Sequence, residues 1–549
     1  MPRNAMADNT VQHKWHKIII AVVVTVVIAF VGLTLPDHPG AFRPHVFLRF
    51  PLEIPLLLLA LLLLPRRLGT PVAVLTTLVV FTSLFLRIAD IGVQSAFQRR
   101  FNPYLDIKML FDGWNLLSGT IGAWQTALLI ALVLTGFIGL AITFFLAQRR
   151  IAIAHPRQKR TLAIPFVAIL ALGTAVWMSG TSLGLGGIAD ARAASYLEAR
   201  LSLVAKSVAD MHVFEQQLAA EEAEGNAVEK SLFQGIRGRD VVLVFVESYG
   251  RSAIEDPRYS SLIRPRLQSV EQQLDAAGFA SATTWSRSPT VGGLSWLAHG
   301  TFLSGLWVDS QARYDRLMIS KRPSLNRLFQ WAGWKTTAVM PAISMDWPEA
   351  DYFGYDQVLA AKDLEYKGKP FNWVTMPDQY TLSAFDKLAR RPANRQGQPV
   401  MAEIALISSH APWTPVPTLI DWNDVGDGTA FNDQATSGDT PSVVWSDHDR
   451  VRKQYIETID YSLQTLGDYV ARFGDDAVFI ILGDHQPASI ITGPDASRAV
   501  PLHIISRDKK LIAKFTHDGF SPGMTPAADL PEQPMDKMRD LLVKNFSDP

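Results

Sequence analysis

An apolar run near the C-terminal end of the chain ends in a carboxylate and an imidazole, and this pattern indicates the fold. The stretch is Ile480-Ile481-Leu482-Gly483-Asp484-His485-Gln486-Pro487. Far upstream, Val242-Leu243-Val244-Phe245-Val246-Glu247 ends in a carboxylate in the same way. Buried parallel strands are continuous apolar runs, and α/β sheets carry their chemistry at the carboxyl ends of such strands. We therefore expect Glu247, Asp484 and His485 to meet at one edge of a single sheet.

Two carboxylates and an imidazole are side chains that divalent metal ions bind in proteins. The sequence therefore predicts a site for one divalent ion, Zn²⁺ or Mn²⁺, with Mg²⁺ as a further candidate. The alternative is that Asp484 and His485 only begin an ordinary turn. A hydroxyl nucleophile between the two strands favours the metal site.

That nucleophile is expected in Ser288-Pro-Thr290-Val-Gly-Gly-Leu-Ser295-Trp-Leu-Ala-His299-Gly-Thr-Phe-Leu-Ser304-Gly305. The proline and glycines predict a loop, and the residues from Ser295 to Leu303 predict a helix that stops at Gly305. A hydroxyl at a helix N-terminus lies in a positive field that suits a phosphate-like group. Metal coordination would activate it further. The alternative is that Ser295 only caps the helix.

The order of these motifs resembles that of the alkaline phosphatase/sulfatase superfamily, over about residues 239–510. In that superfamily the nucleophile opens a helix that ends ten residues later in a Gly. Ser295 has this spacing to Gly305 and Thr290 does not, so Ser295 is the first choice of nucleophile and Thr290 the second. The resemblance implies an α/β domain with a mostly parallel central sheet. It also implies one metal ion held by Glu247, Ser295, Asp484 and His485.

Sulfatases themselves carry Cys or Ser followed by x-Pro-x-Arg. Here Ser295 is followed by Trp-Leu-Ala-His299, and the chain has no Cys, so hydrolysis of sulfate esters is not expected. The closer resemblance is to membrane-anchored transferases of phospholipid head groups, namely lipoteichoic acid synthases, phosphoglycerol transferases of periplasmic glucans and lipid A phosphoethanolamine transferases. The phosphoethanolamine branch usually has several disulfides, so the lack of Cys favours the phosphoglycerol branch.

Three further residues are candidates for binding the substrate. His410 follows another apolar strand, in Ser409-His410-Ala-Pro-Trp413, where the family carries a substrate-binding His. This position implies that His410 binds the phosphate or moves a proton. His299 joins the same pocket if the helix presents it there, and Thr290 is the third candidate. The family's Trp with a nearby Arg has no full counterpart, because acids follow Trp347 in Trp-Pro-Glu-Ala-Asp.

Five apolar stretches precede these motifs and predict an α-helical transmembrane domain over residues 1–186. They are Ile18–Leu35, Leu52–Leu64, Val72–Leu86, Ala127–Leu146 and Ile164–Trp177. Two of them are short for a span of about 20 residues. Lys and Arg cluster before the first, between the second and third, and between the fourth and fifth, which places these loops in the cytoplasm. We expect a multi-pass protein of a bacterial-type inner membrane, with its catalytic domain periplasmic or extracellular.

Residues 187–238 predict an amphipathic helical linker, and residues 239–549 predict the catalytic domain. Its expected strands are Val241–Val246, Thr336–Met340, Glu403–Ile407, Val478–Leu482 and Leu502–Ile505. The 52 basic residues equal the 52 acidic residues, so nothing points to nucleic acid.

The expected function is transfer of a phosphoglycerol-type head-group phosphate from a phospholipid to a glycan or lipid acceptor, through a covalent ester on Ser295. A phosphoethanolamine transferase and a metal-dependent phosphodiesterase or phosphatase remain open as alternatives. A non-catalytic membrane scaffold is disfavoured by the intact set Glu247, Ser295, Asp484 and His485.

Overall fold

The structure is a computed structural model that describes residues 3–37, 42, 47, 49–97, 99–108, 113–114, 117–118, 121–179, 189–222 and 232–548. Apart from a few residues near 97, the chain divides into two compact units, of which the first ends at Asp210 and the second begins at Met211. The first is helical and the second is α/β. The predicted domain limits at 186/187 and 238/239 stay predictions.

The helical unit confirms the predicted apolar helices, with one helix for each of the five predicted stretches. Its helices are α1 Arg3–Thr34, α2 Glu53–Leu63, α3 Arg66–Phe97, α4 Ala123–Ala152 and α5 Pro156–Ser179. Among the described residues four helices are long and apolar enough to cross a membrane: Trp15–Thr34, Arg66–Phe97, Ala123–Ala152 and Pro156–Met178. The second predicted span is the 11-residue helix α2. At 1.5 Å per residue it is only about 16 Å long, against a hydrocarbon core of about 30 Å.

Although α2 is short, it runs antiparallel to α5, as an alternation of five segments requires. Lys159 Nζ, in the first turn of α5, donates to Leu61 O near the end of α2 at 3.1 Å. At the other end of α2, Glu53 Oε1 accepts from the backbone N–H of Ala193, beyond α5, at 2.8 Å. The chain therefore runs in opposite directions through α2 and α5, although α2 alone is too short to span a bilayer.

The predicted linker is only partly described. Residues Arg192–Glu222 form one helix, α6, while residues 187–188 and 223–231 of the predicted linker lie outside the described residues. Two short strands of the helical unit, β1 Phe50–Pro51 and β2 Ala189–Asp190, pair in parallel.

The α/β unit is built on one nine-stranded sheet, which confirms the predicted fold class. Its strands are β3 Val241–Val246, β4 Ala280–Arg287, β5 Lys335–Met340, β6 Gln357–Ala360, β7 Val400–Leu406, β8 Val478–Gly483, β9 Ala499–Ser506, β10 Ser521–Pro522 and β11 Glu532–Pro534. The order is β10-β4-β9-β8-β3-β7-β5-β6, with β11 on β4. The five strands from β8 to β6 are mutually parallel, and β9 is antiparallel to β8.

Helices cover both faces of this sheet, as expected for parallel strands that are buried on both sides. They are α7 Arg251–Glu255, α8 Pro257–Ala276, α9 Ser295–Ser304, α10 Gln311–Met318, α11 Leu325–Trp331, α12 Ala350–Phe353, α13 Asp378–Phe385, α14 Arg391–Arg395, α15 Asn432–Ala435, α16 Pro441–Val444, α17 His448–Phe473, α18 Ser489–Thr492, α19 Lys509–His517 and α20 Met538–Ser547. Val244 of β3 lies in a core with Leu267 of α8 and Ile459 of α17. Its neighbour Phe245 contacts Phe302 of α9, with ring centroids 5.7 Å apart.

Each of the five predicted strands is present, within a few residues of its expected limits, but four strands of the sheet, β4, β6, β10 and β11, were not predicted. Strand β4 has the sequence Ala-Ser-Ala-Thr-Thr-Trp-Ser-Arg, which lacks an apolar run. One of its buried polar side chains has partners far along the chain: Thr283 Oγ1 lies 2.8 Å from His503 Nδ1. Strand β6 has only four residues, too few for a periodic signal.

Candidate active site and metal centre

The carboxyl ends of β3 and β8 bring Glu247 and Asp484 side by side. The two strands are parallel neighbours in a register that pairs Val246 with Gly483, so the next residue of each leaves the sheet at the same edge. The N–H of Asp484 donates to Val246 O at 3.3 Å, and the N–H of Glu247 donates to Leu406 O of β7 at 3.1 Å. This adjacency is the one expected from the two apolar runs.

A tight turn at Ser248 fixes the two carboxylates. Ser248 has a φ of 57°, a left-handed conformation that is uncommon for a residue with a side chain. In this conformation its N–H donates to Asp484 Oδ1 at 2.8 Å and its hydroxyl donates to Glu247 Oε1 at 2.7 Å. The hydroxyl of Tyr455 holds the Ser248 carbonyl at 3.0 Å. Backbone strain at a functional site is a recurring feature of enzymes, and these contacts offset it here.

His485 completes a compact cluster with the two carboxylates. Its Nε2 lies 3.5 Å from Glu247 Oε1 and 3.5 Å from Asp484 Oδ2. Its Nδ1 lies 2.9 Å from Gln486 O, so the proton belongs on Nδ1 and the lone pair of Nε2 faces the carboxylates. One ligand atom from each of the three residues lies within 4.8 Å of the others.

The ionisable groups of this cluster shift one another's pKa values. Burial and the charge of Glu247 raise the pKa of Asp484 to about 6. Burial alone would raise the pKa of Glu247, but the charges of His485 and His410 hold it below its usual value. Burial alone would lower the pKa of His485, but the two carboxylates raise it. Two acids pressed together out of water are a site where a cation relieves repulsion.

The donor set therefore fits a divalent metal ion. Two carboxylate groups and an imidazole nitrogen with its lone pair turned inward suit Zn²⁺ or Mn²⁺. The side chains of Asp484 and His485 are almost fully buried, whereas Glu247 remains 11% exposed.

Ser295 lies at this cluster and does not cap its helix. It is the first residue of α9, after Leu294 as N-cap with a φ of 63° and no side-chain cap. Its hydroxyl instead lies 3.3 Å from Glu247 Oε2 and 3.2 Å from His485 Nε2. The helix ends at Ser304, and Gly305 follows in a left-handed conformation with a φ of 67°. The positive end of the helix dipole therefore faces the hydroxyl that contacts the cluster.

The loop before α9 is anchored beside the cluster. The N–H of Gly292 donates to Gln486 O at 2.8 Å, and the hydroxyl of Ser288 donates to Asp484 O at 2.6 Å. Thr290 is buried in this loop, and its hydroxyl donates to Gly293 O at 2.7 Å. Thr290 thus holds the loop together, while the hydroxyl that contacts Glu247 and His485 is that of Ser295.

His410 lies close enough to the cluster for its charge to lower the pKa of Glu247, against the effect of burial. Its ring stacks on Trp373, with centroids 5.2 Å apart, and the hydroxyl of the preceding Ser409 donates to Glu247 O at 2.6 Å. The buried carboxylate of Asp378 accepts from the N–H groups of Ile407 and Ser408, just before Ser409. The strand end that carries His410 is therefore tied to the strand end that carries Glu247.

His299 lies one helical turn after Ser295 and contacts a buried carboxylate that sequence reasoning missed. Its Nδ1 is 2.7 Å from Glu403 Oε1, and its ring stacks on Phe245 with centroids 3.8 Å apart. Glu403 is only 1% exposed. The signal was present in the sequence, because Glu403 interrupts an otherwise apolar strand, Val400-Met-Ala-Glu-Ile-Ala-Leu406. A charge in such a strand needs a buried partner.

Comparison with known proteins gives a family for the α/β unit. Residues 239–511 match the sequence model of the Sulfatase family. No match was found among curated proteins.

Among solved structures the chain is similar to the lipoteichoic acid synthase LtaP from Listeria monocytogenes, with 14% identity over 58% of this chain and 74% of that chain and a TM-score of 0.36. It is also similar to the phosphoglycerol transferase GacH from Streptococcus pyogenes, with 12% identity, 62% and 92% coverage and a TM-score of 0.37. The C-terminal periplasmic domain of EcEptC from Escherichia coli gives 15% identity, 56% and 82% coverage and a TM-score of 0.35.

Proposed function

The domain formed by residues 239–511 belongs to the Sulfatase family within the alkaline phosphatase superfamily, and from this premise we propose that the protein is a membrane phosphotransferase. It moves the head-group phosphate of a phospholipid, of the phosphoglycerol type, to the hydroxyl of a glycan or lipid acceptor. The observation that carries the proposal is the placement of Ser295 Oγ between Glu247 and His485, at the positive end of α9.

Phosphoryl transfer is favoured over sulfuryl transfer by the residues around Ser295. The segment Ser295-Trp-Leu-Ala-His299 lacks the Pro and Arg of sulfatases, and the chain has no Cys to convert. The apolar helices α1, α3, α4 and α5 favour a substrate in the membrane, because they would hold the α/β unit at a lipid surface.

The reaction would proceed in two steps at Ser295. Deprotonated Ser295 Oγ attacks the phosphorus, the Oγ–P bond forms, and the bond to the diacylglycerol oxygen breaks. In the second step the acceptor oxygen attacks the phosphorus and the Oγ–P bond breaks, which restores Ser295. Glu247, Asp484, His485 and Ser295 would hold a divalent ion, which supplies positive charge that stabilises the Ser295 alkoxide and the transition state. His410, four residues beyond the end of β7, would bind a phosphate oxygen.

The two open alternatives differ from this proposal in their products, so one experiment separates them. The purified full-length protein is incubated with phosphatidylglycerol or phosphatidylethanolamine, and Ser295 is examined by mass spectrometry. We expect a phosphoglycerol adduct on Ser295 and release of diacylglycerol. A phosphoethanolamine adduct alone would support the other transferase branch. Head-group phosphate that appears only free in water, whatever glycan or lipid acceptor is supplied, would establish a hydrolase.

The proposed localisation is a bacterial-type inner membrane with the N-terminus in the cytoplasm and the α/β unit on the other side. The antiparallel course of α2 supports five alternating segments. In that arrangement the cytoplasmic side carries four basic residues, Arg66, Arg149, Arg150 and Lys159. A reporter that is active only outside the cytoplasm should therefore be active when fused after residue 230. The same reporter fused after His155 should be silent. The opposite pattern would contradict the orientation.

A further inference from the structure

Glu403 is a buried acid for which the reaction described above has no use. It lies in the middle of β7 and is 1% exposed, and a charge at such a position is costly unless it is fully paired. Three donors surround its carboxylate: His299 Nδ1 at 2.7 Å, Asn326 Nδ2 at 3.0 Å and the hydroxyl of Tyr355. These three donors come from three separate segments of the chain and satisfy both carboxylate oxygens.

The contact between Glu403 and His299 fixes the imidazole in one orientation. With Nδ1 directed at Glu403 and one ring face covered by Phe245, Nε2 is the ring nitrogen that Glu403 does not use. The side chain of His299 remains 12% exposed. Ser295 and His299 are four residues apart in α9 and therefore lie on the same face of the helix. The charge of His299 also reaches Asp484, where it opposes the raised pKa of that carboxyl group.

We infer that Glu403 is the positioning residue of a Glu403–His299 pair, in which His299 Nε2 gives a proton to the departing alcohol and takes one from the acceptor alcohol. The inference rests on the proposed function and adds to it a residue that handles the proton. The diacylglycerol of the proposed donor is an alkyl alcohol, which cannot depart without a proton.

The protons balance over the two steps. In the first step the Ser295 Oγ–P bond forms, the bond from phosphorus to the diacylglycerol oxygen breaks, and protonated His299 gives its Nε2 proton to that oxygen. In the second step neutral His299 takes the proton of the acceptor hydroxyl, the new O–P bond forms and the Oγ–P bond breaks. His299 ends protonated and Ser295 ends deprotonated, as they began. The carboxylate of Glu403 stabilises the imidazolium and keeps Nδ1 protonated in both steps.

A comparison of two leaving groups tests the pair. The full-length protein is given phosphatidylglycerol, whose leaving group is an alcohol, or a p-nitrophenyl ester of phosphoglycerol, whose leaving group departs without a proton. Both would form the same adduct on Ser295. In Glu403→Gln we expect the adduct from phosphatidylglycerol to form about 10²–10⁴-fold more slowly, the usual contribution of acid–base catalysis. The rate from the aryl ester should fall less than about 10-fold, because it needs no acid.

A second variant keeps the test independent of folding. His299→Gln should show the same difference between the two substrates, and the double variant should lose little more than either single one, since the two residues act as one unit. If Glu403→Gln does not fold, His299→Gln carries the test, because its side chain is partly exposed. Equal losses for both substrates, or no loss for phosphatidylglycerol, would overturn the inference. Failure of the wild-type protein to form any adduct from phospholipid would instead overturn the proposed function.

Discussion

Replacement of Ser295 by Ala should abolish the covalent adduct and reduce transfer by a factor on the order of 10⁵–10⁶, because loss of an activated nucleophile removes the whole chemical step. This factor corresponds to about 7–8 kcal/mol of transition-state stabilisation. The expectation rests on the Ser295 hydroxyl, which contacts Glu247 and His485 at the first residue of α9. Adduct formation is measured by mass spectrometry and transfer by release of diacylglycerol.

Thr290→Ala is the matched control, because Thr290 was the second choice of nucleophile and lies in the same loop. Its hydroxyl holds Gly293 O, so its loss should loosen the loop and reduce the rate while the adduct still forms on Ser295. An adduct that persists in Ser295→Ala and disappears in Thr290→Ala would reverse this assignment.

Removal of the proposed divalent ion is expected to cause the second large loss of transfer. Chelation should stop transfer, and added Zn²⁺ or Mn²⁺ should restore it, because without a cation the carboxylates of Glu247 and Asp484 repel each other in a buried site. Asp484→Asn and Glu247→Gln should each lower bound metal and transfer together, with losses of about 10–100-fold or more. Bound metal is measured directly on the purified protein by elemental analysis, independently of activity.

An exposed carboxylate near the other end of β8 provides a matched control for Asp484→Asn. Asp476 lies just before β8, at the opposite end of that strand from Asp484; it is 64% exposed and pairs with Arg239. Asp476→Asn should retain both metal and transfer, since an exposed ion pair contributes little. Full transfer by protein shown to be free of metal would contradict the proposed metal centre.

The sequence alone was enough to predict the fold class and the adjacency of Glu247, Asp484 and His485 at one edge of the sheet. Apolar runs ending in Glu247 and in Asp484-His485 are local signals, since a strand buried on both faces must be continuously apolar and must lose that character where it leaves the sheet. The extent of α9 was equally local, because Gly305 adopts the left-handed conformation that ends a helix. The Sulfatase match over residues 239–511 confirms the resemblance drawn from these motifs.

Which side chains contact one another across the chain followed only from the tertiary structure. Glu403 and His299 are 104 positions apart, and no local pattern pairs them; only the packing of α9 against β7 and Phe245 does so. Strand β4 escaped prediction because its sequence is polar, and the partners that let a side chain such as Thr283 be buried come from β9, far along the chain. The local sequence thus sets where helices and strands end, while long-range packing sets which side chains meet.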